Sequence, residues 1–97
     1  MKGDRMNLSK LYEYIVSTFG NAPYGGVSQK GNPWCKIDTP NDVKANELIT
    51  KCNNIQGMNA RFLPAVPNGS GGYHAEGVMI NVSSNLSKDD FVRNFSQ

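Results

Sequence analysis

No stretch of this 97-residue chain approaches the roughly 18 consecutive apolar residues that a membrane-spanning helix needs. The opening MKGDRMNLSK has no apolar run after its basic residues, so it does not read as a secretory signal, and a cytoplasmic location is expected. Runs of like charge are missing too. Ten Lys/Arg and eight Asp/Glu are interspersed, with a formal net charge of +2, so the electrostatic footprint of an obligate nucleic-acid binder is not there. Cysteine is scarce: Cys35 and Cys52 are too few for a disulfide framework and read as two buried thiols of a reducing compartment.

The scarcity of histidine and cysteine also bears on chemistry. Zinc sites usually show paired ligands a few residues apart, whereas here two Cys and the single His74 stand far from one another, and no metal or cofactor is expected. Cys35, His74 and Asp38 are the right residue types for a thiol nucleophile, its base and an orienting acid. No cysteine-protease signature surrounds Cys35, however. The Asn68-Gly69-Ser70-Gly71-Gly72 segment lacks the GxxxxGK[ST] pattern and any following helix, so it reads as a hairpin loop rather than a phosphate cradle. Asp89 and Asp90 read as helix-start acids. The expectation is a protein that is not an enzyme.

What is present is a series of well-punctuated amphipathic segments. Residues 39–57 read as a central helix: Thr39 as N-cap, Pro40 at the first helical position, Asp42 in the capping box and Gly57 as C-cap. Ala45, Leu48, Ile49, Cys52 and Ile55 form its apolar stripe. An earlier helix opens at Asn7 or Ser9, lines Leu8, Leu11, Tyr12, Ile15, Val16 and Phe19 along one side, and ends at Gly20. Ser87, with Asp90 three residues on, starts a short terminal helix whose apolar face is Phe91, Val92 and Phe95, with Leu86 and Phe91 as a hydrophobic staple.

Between the helices the period drops to two. Residues 27–29 and 34–38 form one hairpin, with Cys35 and Ile37 on one face and Trp34 and Lys36 on the other. Met58, Ala60 and Phe62 mark the next strand, which Pro64 and Pro67 terminate. Residues 73–82 return as its partner, with Val78, Ile80 and Val82 inward and a bulge at Gly77. The fold class is therefore α+β, a three- to four-stranded antiparallel sheet with helices on one face, in the order α-ββ-α-ββ-α. Residues 1–97 make a single compact domain, with 1–6 expected as a frayed leader and 67–72 as a mobile hairpin loop.

Such a packing leaves the other sheet face open, and functional expectation settles there and on the connectors. Tyr24, Trp34, Arg61, Tyr73 and His74 are the candidate partner-binding residues, because Trp, Tyr and Arg dominate interface hot spots and several flank glycine-rich segments. The leading expectation is a non-catalytic binding module acting by stoichiometric protein–protein contact, of inhibitor or adaptor type. Small motif-free domains of this kind are frequent among phage and mobile-element inhibitors of host complexes. The alternative is a single-stranded nucleic-acid-binding domain using sheet aromatics and Lys/Arg. Against it, residues 72–80 lack the basic residue and second spaced aromatic of an RNA-recognition signature.

Overall fold

In a computed structural model, the described residues are 8–83 and 86–95. Among them the chain runs α1 (Ser9–Phe19), β1 (Tyr24–Val27), β2 (Pro33–Asp38), α2 (Val43–Asn53), β3 (Met58–Leu63), β4 (Val66–Pro67), β5 (Tyr73–His74), β6 (Gly77–Val82) and α3 (Lys88–Phe95). The expected frayed leader, residues 1–6, lies outside the described residues. Four strands form one antiparallel sheet in the order β1-β2-β6-β3, while β4 and β5 make a separate two-stranded ladder. The α+β class and the helix-and-hairpin order are those that the periodicity implies.

Period-2 alternation sorts the sheet into two faces. On one face Cys35, Ile80 and Ala60 lie side by side across three strands, followed by Ile37 beside Val78 and Phe62, and Val82 beside Met58. This face packs under the helices, against Leu11 and Ile15 of α1, Ala45, Leu48 and Cys52 of α2, and Phe91 and Phe95 of α3. Each fully buried Leu, Ile or Phe contributes roughly 1.5–3 kcal/mol. Lys51 ties the helical layer together: its ammonium donates to Asn94 O at 3.0 Å and sits 5.2 Å from the Tyr14 ring and 5.7 Å from that of Phe95.

Several boundaries differ from the sequence reading. Asp42, not Thr39, caps α2, its Oδ1 accepting the Ala45 N–H at 3.0 Å. Thr39 instead prolongs the sheet, donating its N–H to Glu76 O at 3.2 Å. The helix ends at Asn53 with Asn54 as C-cap, and Gly57 follows three residues later with φ +102°. There it lets the turn lie against Leu86, whose Cα would be 2.6 Å from a Cβ at position 57. In α1 the cap position is Leu8 without a side-chain bond, and Gly20 closes the helix in left-handed geometry, as its sequence position implies. Tyr12 and Val16 face solvent and Tyr14 packs toward the core instead, because α1 meets its neighbours over a narrower stripe than its apolar residues cover. Val92 is likewise exposed on α3, while Ser87 Oγ accepts the Asp90 N–H as expected.

The first hairpin begins earlier than expected, at Tyr24, and Gly77 opens β6 rather than bulging within it. The strand expected over 73–82 is interrupted between His74 and Gly77. That break lets β4 and β5 leave the sheet as an arm. The loop at its tip is organised by Asn68, whose Oδ1 accepts from Ser70 N–H at 2.9 Å and Gly72 N–H at 3.3 Å.

Candidate functional site: an aromatic hollow on the helix-free sheet face

The face away from the helices carries two cross-strand rows. One runs Gly26, Trp34, Asn81, Asn59; the other runs Tyr24, Lys36, Met79, Arg61. Among the described residues no helix covers these rows. The β4–β5 arm bends over one end of the face, and a hollow of about 440 Å³ opens beneath it. Its floor is Tyr24, Trp34, Lys36 and Met79 of the sheet, and its wall is Leu63, Pro64, Val66, His74 and Ala75. The volume falls in the range of ligand-sized pockets, and the lining is mostly apolar.

One polar cluster holds the arm in place. Lys36 is only 6% exposed, and its ammonium donates to Asp38 Oδ1 at 2.9 Å and to the Ala75 carbonyl of the arm. Tyr24 donates its hydroxyl to the same Asp38 oxygen at 3.2 Å, and its ring centroid lies 5.8 Å from the Lys36 ammonium. Burial works against the charge of Lys36, but the Asp38 carboxylate and Tyr24 outweigh it, so its pKa is raised. A buried cation therefore has its charge balanced within the site.

Of the five residues singled out from sequence, Tyr24, Trp34 and His74 line this hollow together. Arg61 stands on the same face beside Met79, exposed and outside the lining. Tyr73 is 72% exposed and pairs with Pro67 in the arm; alternation turns it to the side opposite His74, away from the hollow. The aromatic floor thus lies on the sheet, not at loop tips. Lys36, Leu63, Val66 and Met79 were not singled out. For Met79 and Leu63 the signal was present, since strand alternation places both on the face opposite Val78 and Phe62; for Val66 and the latch role of Lys36 only the bend of the arm decides.

Cys35 and His74 do not meet. Cys35 is buried on the helix side of the sheet and His74 lies on the other side, so the sheet separates them. Burial pushes the Cys35 thiol up to about 11 and the Cys52 thiol up to about 12, the opposite of what nucleophile activation needs. Both cysteines are free. Among the described residues no three His, Cys, Asp or Glu side chains gather where they would hold a metal ion, and no helix is long and apolar enough to cross a membrane. Comparison with family models, curated proteins and solved structures gives no match for this chain.

Proposed function

We propose that this chain is a stoichiometric binding module that recognises another protein through its helix-free sheet face. The observation that carries this reading is the apolar hollow in which Tyr24, Trp34, Leu63 and Met79 of the sheet meet Val66 of the latched arm. Aromatic anchors set in a concave, mostly apolar surface are the usual centre of a protein-recognition patch. The charge balance of the face points the same way: Asp38 neutralises Lys36, leaving Arg61 as the exposed cation of the two rows. Occlusion of the partner's surface, without turnover or cofactor, is the proposed mode, as for an inhibitor or adaptor. Small inhibitors of phage or mobile-element origin acting in the cytoplasm are the setting we favour, and two unbridged cysteines suit a reducing compartment.

The test is capture of a protein from nuclease-treated lysate by the immobilised chain. Trp34→Ala is expected to weaken capture at least ~30-fold, the effect of a hot spot of about 2 kcal/mol, with the fold retained by circular dichroism. Undiminished capture by Trp34→Ala would defeat this reading. The single-strand nucleic-acid alternative rests on Tyr24, Trp34 and Arg61 sharing one face. It requires binding to oligonucleotides that weakens steeply with salt, which a fluorescence titration at two salt concentrations decides.

A further inference from the structure

The two edges of the main sheet are finished differently. At the β3 edge, Asn53 at the end of α2 uses its side-chain amide as a substitute strand: Nδ2 donates to Ala60 O at 3.0 Å and Oδ1 accepts the Ala60 N–H at 2.8 Å. That occupies the outward groups at Ala60, in the middle of the edge. At the opposite edge, β1 pairs only with β2, and all four of its residues, Tyr-Gly-Gly-Val, are exposed. Its shortness is its one edge protection: among the described residues it has no charge, no proline and no covering helix.

The backbone groups that this edge offers follow from the register. Ser28 donates its N–H to Asn32 O at 2.8 Å, which makes that pair hydrogen-bonded. Bonded and non-bonded pairs alternate along an antiparallel ladder. Gly26 and Tyr24 therefore bond inward to Trp34 and Lys36, while Val27 and Gly25 turn N–H and C=O outward. Beside these groups lies the aromatic floor. The Trp34 indole rests over Gly26, with Nε1 3.6 Å from where a Cβ would stand, and Gly26 leaves it reachable from the edge.

We infer that β1 receives an extended segment of the partner protein as a fifth strand, whose alternate apolar side chains pack on Trp34 and Tyr24 at the mouth of the hollow. The outward N–H and C=O groups supply affinity and the aromatic floor supplies side-chain selection, the division of labour of strand addition. This inference rests on the protein-binding reading above and specifies how the partner is held. A second copy of this chain is a poorer occupant: pairing two four-residue edges falls well short of the ~1,000 Å² that a specific interface needs. An extended segment gains the hollow as well as the edge.

The probe is a displayed library of random dodecapeptides selected on the immobilised full chain, with the enriched peptides then measured in solution against three variants. Val27→Pro removes an outward N–H at an edge position that tolerates proline. Val27→Lys places a gatekeeping charge at the same position and answers the question if the proline variant does not fold. Trp34→Ala removes the floor. The inference expects peptides with apolar residues at every second position, at least ~10-fold weaker binding to either Val27 variant, and slowed hydrogen exchange of the Gly25 and Val27 amides in the complex. Peptides that ignore both Val27 variants but are lost with Trp34→Ala overturn strand addition and leave protein binding through the hollow standing. No enrichment also overturns strand addition, and only a concurrent failure of Trp34-dependent lysate capture defeats the broader reading. Concentration-dependent dimerisation in sedimentation equilibrium that Val27→Pro abolishes makes the occupant a second copy and overturns the partner segment.

Discussion

Replacing Asn53 by alanine should remove both bonds that close the β3 edge. Asn53 is itself exposed, but Ala60, whose backbone it satisfies, is buried, so water does not fully replace the lost partners. A typical intramolecular hydrogen bond contributes about 1 kcal/mol net, and a buried group left unsatisfied costs about 1–3 kcal/mol. The two bonds together therefore predict a destabilisation of about 2 kcal/mol. For a domain near 100 residues that lowers the thermal midpoint by about 8–16 °C. Urea unfolding followed by circular dichroism gives the free energy directly, with an unchanged denaturant slope showing that the same surface unfolds. Asn53→Asp keeps the acceptor for the Ala60 N–H but sets a carboxylate against the Ala60 carbonyl, and should be no more stable than the alanine variant. A second consequence is specific to the edge: freed Ala60 N–H and C=O groups should make Asn53→Ala more prone to associate at high concentration, measured by light scattering. Loss of less than about 0.5 kcal/mol, the ordinary range for surface substitutions, together with no change in association, would refute the substitute-strand argument.

Three further outcomes follow from the same packing. Both thiols have raised folded-state pKa values, about 11 for Cys35 and about 12 for Cys52, so their contribution is complete below the unfolded thiol range near 8.5 and is lost as pH rises toward those values. Urea midpoints should fall between about pH 9 and 12, and Cys52→Ala should lessen the slope by about 1.4 kcal/mol per pH unit; an unaltered slope counts against the burial of that thiol. Gly57→Ala forces an L-residue to φ +102° and drives a Cβ into Leu86, so a loss above about 2 kcal/mol is expected in the same assay. Lys36→Met unlatches the arm at Ala75, and because Asp38 is half-exposed the stability cost should stay near 1 kcal/mol, while amides of residues 66–76 exchange faster by mass spectrometry.

Local apolar spacing already marks which faces are oily. Leu11 and Ile15, Ala45 with Leu48 and Cys52, Phe91 with Phe95, and the alternation of Val78, Ile80 and Val82 fix three helices and a sheet, because apolar periodicity is a local property that burial then rewards. It also placed Trp34 and Lys36 opposite Cys35 and Ile37, and so implied a helix-free face carrying an aromatic. Helix starts were less legible, since Thr39 and Asp42 are both good caps and only the demand of the sheet for the Thr39 N–H chose between them. Strand order, the bend of the arm and the closing of one edge by Asn53 were decided by tertiary structure. Each depends on groups far apart in the chain, such as Lys36 with Ala75 or Tyr24 with Met79 in one row, and no local pattern encodes which distant backbone group a side chain will satisfy.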